Sequence, residues 1–174
     1  MTGEADRQAL AADISATSRL TGTFTLRSGQ VSDQYFDKYR FEADPALLRR
    51  LAAAMAPLVP AEADVLAGLE LGGVPIATAI SLHTGRRAAF VRKQAKTYGT
   101  CLAVEGGDVA GLKVAMIEDV ISTGGAVVDA ARLLREAGAE IVAVVCSIWR
   151  GAGDPAIPGL DVPVYPAFRM SELP

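Results

Sequence analysis

From about residue 44 onward, short apolar runs alternate with stretches whose apolar positions recur every three or four residues. That alternation predicts a parallel sheet flanked by helices. Asp44 and Pro45 supply an N-cap and a first-turn proline, after which Leu47, Leu48, Leu51 and Met55 share one helical face. Val65, Leu66 and Ala67 form a short buried strand that stops at Gly68, and residues 75–82 read as the helix behind it. Strands follow at 88–91 and 113–117, the second very apolar. Residues 125–137 read as a helix with Val127, Val128, Ala131 and Leu134 inward and Gly138 as its stop. Residues 141–148 make a further strand, and 162–165 are a candidate fifth.

The first 43 residues read differently. A weak amphipathic helix leads into FTLRSGQVSDQYFDKYRF, whose β-like pieces are broken at Ser28-Gly29 and Ser32-Asp33. The expected organisation is therefore one domain over 1–174, with a hood at 1–43 and an α/β core at 44–174. In open α/β sheets ligands bind beyond the carboxyl ends of the strands, so the loops after Ala67, Val91, Ile117 and Ile148 are expected to converge on one site.

Composition narrows the chemistry. At 174 residues, 51% hydrophobic and 21% charged, the chain has the makings of a globular domain with a single core. A net charge of -3 offers no global attraction to nucleic acid or to an anionic membrane, so anion binding must come from a local cluster. Cys101 and Cys146 form no C-x-x-C pair, so neither a zinc site nor a disulfide framework is indicated. His83, the single histidine, leaves no room for a multi-histidine metal centre and reads as structural. No signal peptide and no membrane-length apolar run is evident, and a cytoplasmic location is expected.

The unusual residues fall in the predicted loops. In VAMIEDVISTGGAVVDAA an apolar strand runs into Glu118-Asp119, and a helix then opens at Ser122-Thr123-Gly124-Gly125. Free N–H groups and the positive end of the helix dipole make an anion cradle there, and the glycines admit a phosphate closely. The carboxylates repel phosphate but accept from a pair of sugar hydroxyls, so the stretch suits a phosphorylated ribose; the alternative is a simple strand end and helix cap. Neither a Walker A loop nor a dinucleotide fingerprint is present. Arg92, Lys93 and Lys96 lie within five residues at a strand end, either as a basic loop that closes on a polyanion or as a solvated charge run. The turn from Gly68 to Gly73 is either a pyrophosphate loop or a tight strand-to-helix turn. Tyr35, Phe36 and Arg150 are suited to stack on and pair with a flat carboxylated ring, or else to pack.

Taken together, the segment from Met116 to Gly125, FTLRSG, YFD and VRKQAKTYGT resemble the type I phosphoribosyltransferases, in their orotate-specific branch, over roughly residues 20–150. The resemblance implies an enzyme that moves the phosphoribosyl group of phosphoribosyl diphosphate (PRPP) onto orotate, in pyrimidine biosynthesis. It implies PRPP contacts from Arg27, Gly72, Gly73, Arg92, Lys93, Lys96, Tyr98, Glu118, Asp119, Val120, Ile121, Ser122, Thr123, Gly124, Gly125 and Ala126. Lys96, Glu118 and Asp119 would be catalytic, with Lys96 stabilising the leaving pyrophosphate. Orotate would lie against Tyr35, Phe36, Ser122 and Arg150. Mg2+ would ride on PRPP without protein ligands, and a homodimer would share its active sites, with no nucleic-acid or membrane partner. Three positions depart from many members: Arg27 stands for a lysine, Tyr98 for a histidine and Gly72 for a lysine. Other readings are a phosphoribosyltransferase for a different base, a PRPP-sensing regulator of the same fold, and a generic α/β nucleotide-binding domain.

Overall fold

A computed structural model of the chain describes residues 3–25, 28–94 and 102–174. Helix α1 (Glu4–Ser18) leads into an antiparallel hairpin, β1 (Arg19–Thr25) and β2 (Val31–Phe36). Two helices follow, α2 (Lys38–Ala43) and α3 (Pro45–Met55). The remaining strands and α-helices are β3 (Val65–Leu69), α4 (Gly73–Thr84), β4 (Arg87–Val91), β5 (Val104–Glu105), β6 (Lys113–Ile121), α5 (Gly125–Glu136), β7 (Glu140–Trp149) and β8 (Val164–Arg169).

The central sheet runs β5-β4-β3-β6-β7-β8, and every neighbouring pair is parallel except β4 with β5. This is the α/β architecture that the alternating pattern predicts. Apolar side chains of alternate strand positions feed two core layers. Val114 and Met116 of β6 join Val127, Ala131 and Leu134 of α5 on one face. Ala115 and Ile117 join Leu51, Met55, Ile76 and Ile80 of α3 and α4 on the other. Each such fully buried Leu, Ile or Met side chain is worth about 1.5–3 kcal/mol of transfer free energy.

The N-terminal 43 residues divide physically. Leu10, Ala11, Ile14 and Phe41 sit in the second core layer, so α1 and α2 are packed as part of it. The β1–β2 hairpin is a separate two-stranded sheet. Its base is tied to the chain end, because the Arg19 guanidinium donates to the Leu173 and Pro174 carbonyls at 3.2 and 3.1 Å.

Helix starts differ according to what they must satisfy. At α3 the Asp44 Oδ1 accepts from the Ala46 and Leu47 N–H groups at 2.8 and 3.0 Å, a cap worth about 1 kcal/mol. At α5 the N-cap is Gly124, with no side chain to accept anything. The Val127 and Val128 N–H groups both turn back to the Gly124 carbonyl at 3.0 Å, which leaves the Gly125 and Ala126 N–H groups without intrahelical partners.

Strand order reverses between β3 and β6: from β3 the chain goes outward to β4, then returns to place β6, β7 and β8 on the other side. The crevice at the carboxyl ends of β3 and β6 is the topological switch point, where open α/β sheets bind ligands. Among the described residues no helix is long and apolar enough to cross a membrane.

Candidate active site

The loop after β3 is shaped by close packing. A Cβ at Gly68 would stand 2.7 Å from the Gly73 carbonyl oxygen, one at Gly73 would overlap the Ile117 carbonyl, and one at Gly72 would overlap the Asp119 carboxylate. The tight-turn reading thus accounts for these glycines: α4 can start hard against β6 only over bare backbone. The cleft is lined from this loop by Glu70 and Leu71, whereas Gly72 and Gly73 contribute no lining. The Glu70–Leu71 peptide is cis. Glu70 also joins two loops, its N–H donating to the Val91 carbonyl and its Oε2 accepting from the Lys93 N–H, both at 2.9 Å.

Strand β6 does not stop at Ile117 as the charge pattern predicts. It continues to Ile121, so Glu118 and Asp119 lie inside a strand, both buried and with side chains on opposite faces. Glu118 faces α5, next to Ala126, Ala130 and Leu133. Asp119 faces α2 and the start of α4.

Their burial is made tolerable by partners that the sequence reading did not single out. Lys38, the first residue of α2, places Nζ 2.5 Å from Asp119 Oδ2, and the Asp119 Oδ1 accepts from the Val120 N–H. Glu118 Oε1 accepts from the Asp119 N–H at 2.8 Å, and Ser147 Oγ donates to the Asp119 carbonyl. Burial, with the neighbouring Asp119 adding to it, pushes Glu118 up to about 9. The same causes push Glu42, one helical turn beyond Lys38, up to about 9. Burial alone would raise Asp119 as well, but hydrogen bonding from Glu118 and the bond and charge of Lys38 hold it below its ordinary value. Lys38 is raised despite its own burial, chiefly by Asp119. At neutral pH the centre thus holds one carboxylate, Asp119, paired with one ammonium and flanked by two neutral carboxyls.

Around that centre lies a cleft of about 340 Å³, lined by Lys38 and Tyr39 of α2, by Glu70, Leu71 and Lys93, and by residues 118–127. Ser122, Thr123, Gly124, Gly125 and Ala126 make its floor. Gly124 has φ +80°, and a Cβ there would come within 2.6 Å of Ile157 Cγ2, so the fold itself demands glycine. Gly125 is different: a Cβ would meet nothing within 4 Å. The floor is bare backbone there, open to whatever enters. Arg92 and Lys93 line an adjoining recess together with Glu118 and α5.

A second hollow of about 260 Å³ is lined by Tyr35, Phe36 and Arg150, with Arg19, Ser32, Gln34 and Met170. Tyr35 is tilted against Phe24, ring centroids 5.5 Å apart, and the Arg150 N–H donates to the Ile121 carbonyl at 2.7 Å, joining this hollow to the end of β6. Ser122 lines the first cleft rather than this hollow. Trp149 is core, and His83 lies exposed in the last turn of α4. Arg27, Lys96 and Tyr98 lie outside the described residues.

The sequence model of the phosphoribosyl transferase domain matches residues 39–164, most of the chain. The chain belongs to the phosphoribosyltransferase family. Among phosphoribosyltransferases it is 59% identical to an orotate phosphoribosyltransferase of Nocardioides sp., over 94% of this chain and 92% of that one. It is 40% identical to the orotate phosphoribosyltransferase of Thermococcus gammatolerans, over 88% and 84%. Its fold matches the crystal structure of Mycobacterium tuberculosis orotate phosphoribosyltransferase with Fe(III) dicitrate at a TM-score of 0.86, with 31% identity and 97% and 98% of the two chains covered. The PRPP complex of the Mycobacterium tuberculosis enzyme matches at 0.81, with 29% identity and the same coverage.

For a phosphoribosyltransferase the cleft has the right division of labour. Free N–H groups and bare backbone at the start of α5 suit a phosphate, the Arg92 and Lys93 side suits a second polyanion, and the one charged carboxylate, Asp119, lines the same cleft as the α5 start and Lys93. Among the described residues no group of three His, Cys, Asp or Glu side chains could hold a metal.

Proposed function

We propose that this chain is an orotate phosphoribosyltransferase, forming orotidine 5'-monophosphate and pyrophosphate from orotate and PRPP on the way to UMP. The observation that carries this reading is the sharing of one switch-point crevice by the α5 cradle, Asp119 and the Arg92-Lys93 pair, beside a hollow bearing two aromatics and an arginine. Its 59% identity to an orotate phosphoribosyltransferase supports the choice of base.

In this reading the ribose 5'-phosphate sits on residues 122–126 and the diphosphate on Arg92, Lys93 and Lys96. Arg27 and Tyr98 complete the PRPP contacts. Orotate lies against Tyr35 and Phe36 with its carboxylate toward Arg150. The bond from C1 to the diphosphate oxygen breaks, and pyrophosphate takes the electron pair. The bond from C1 to N1 of orotate forms, and N1 gives up its proton. Positive charge building on the sugar ring is met by Asp119, and negative charge on the leaving group by Lys96, so positioning and electrostatics replace a protein nucleophile. The protein side chains would leave Mg2+ to be held on PRPP itself, where it would supply charge neutralisation for the diphosphate beside Arg92, Lys93 and Lys96. The enzyme is a cytoplasmic homodimer with shared active sites, built from a single domain over 1–174.

The test is pyrophosphate release from PRPP with orotate, uracil, hypoxanthine or guanine as acceptor, with and without chelation of Mg2+. Release with orotate alone, abolished by chelation, is the expected result; release with a purine or with uracil instead would replace the base assignment. Light scattering at assay concentration tests the dimer.

A further inference from the structure

Asp119 has no solvent exposure, although a carboxylate that binds a sugar must present an oxygen to it. Oδ1 is occupied by the Val120 N–H, and Gly72 closes one side of Oδ2 so tightly that even a methyl group would overlap it. The Lys38 ammonium sits 2.5 Å from Oδ2 on a side chain that keeps 34% of its own exposure, while Glu42 and Glu118 also hydrogen-bond the Asp119 carboxyl from buried positions. Lys38 lines the same cleft as Ser122, Thr123 and Lys93, and its four-carbon stem lets the ammonium move several ångströms without moving α2. Of the groups against that carboxyl, the Lys38 ammonium is the one that also lines the cleft on a partly exposed side chain, so it is the one a sugar hydroxyl can displace, and a polyanionic ligand offers it somewhere to go. Glu42, on the same face of α2 and 6% exposed, remains beside Asp119 when Lys38 leaves.

Resting on the phosphoribosyltransferase reading, we propose that Lys38 is a further PRPP-binding residue: its ammonium caps Asp119 in the free protein and passes to a phosphate oxygen of PRPP as the ribose hydroxyls replace it. Lys38 then makes two successive ion pairs: the first is broken on binding and subtracts from affinity, and the second adds to it. A merely neutralising lysine would behave differently, because its loss would matter only while Asp119 is charged.

The experiment is calorimetric titration of PRPP with Mg2+ into the wild type, Lys38→Met, Lys38→Arg, Asp119→Asn and the Lys38→Met/Asp119→Asn double variant. Lys38→Met should weaken PRPP binding about tenfold or more, the worth of a hydrogen bond to a charged group, in both the wild-type and the Asp119→Asn backgrounds. Lys38→Arg should restore most of it. Should Lys38→Met prove unfolded by circular dichroism, Lys38→Gln takes its place in both backgrounds with the same expectation. Unchanged affinity, or a loss that vanishes once Asp119 is neutral, overturns the inference while leaving the function standing. A wild type that binds no PRPP overturns both.

Discussion

Glu42→Gln isolates the electrostatics of the centre without touching the cleft lining. Glu42 is raised from an ordinary 4.5 to about 9 by burial and by Asp119 beside it. In the unfolded chain it loses its proton above about 4.5, whereas in the folded protein it keeps it to about 9. Between those values the folded state binds more protons, so stability is fully present at low pH and falls as pH rises through the window. Each unit is worth about 1.4 kcal/mol, so by pH 7 the group has forfeited about 3 kcal/mol at most. Glutamine keeps the shape and cannot titrate. At pH 5 the variant should be level or weaker by about 1 kcal/mol, because the amide brings donors to a site where Oε1 already lacks a partner among the described residues. Urea unfolding at pH 5, 6, 7 and 8, followed by circular dichroism, reads the difference directly. The variant should gain on the wild type by at least about 1 kcal/mol across that range. Parallel stability curves would refute the buried neutral carboxyl.

The remaining predictions separate fold from function. Gly124→Ala should cost about 2 kcal/mol or more in urea unfolding, since it combines a left-handed residue with a clash against Ile157. Gly125→Ala should leave stability within about 0.5 kcal/mol yet raise the KM for PRPP about tenfold, because its methyl group meets only what enters the cleft; an unchanged KM would remove the cradle. Lys96→Ala should lower kcat about a hundredfold or more with an unchanged melting temperature, and normal turnover would end its leaving-group role. Asp119→Asn should lower kcat through lost charge on the ribose side; wild-type rates would sink that argument.

The sequence carried the fold where burial follows local pattern. Asp44-Pro45 starts α3, Gly138 ends α5 with φ +81°, and the strands from Val65 onward appear in the expected order. It failed where tertiary partners override local character. Glu118 and Asp119 read as the end of a strand because charges seldom stay buried, yet protonation and Lys38 keep them inside β6. The last strand was expected at 162–165 and lies at Val164–Arg169, starting after Pro163 and running through Pro166; β8 is an edge strand, where proline is tolerated. The two-residue β5 carries too little pattern to detect. At the site, the cradle and the Arg92-Lys93 pair were legible from residue type and spacing. Lys38 was not, because its partner is 81 residues away in the chain, although its i, i+4 relation to Glu42 across the buried Phe41 was a usable signal.

The most direct test of the account is the loss of orotate absorbance on mixing the protein with PRPP and Mg2+, with the product identified by mass. Orotate should be consumed only when PRPP is present, with orotidine 5'-monophosphate as the product. No consumption by a folded protein that still binds PRPP would contradict it and would favour a regulator that has kept the cleft without the chemistry.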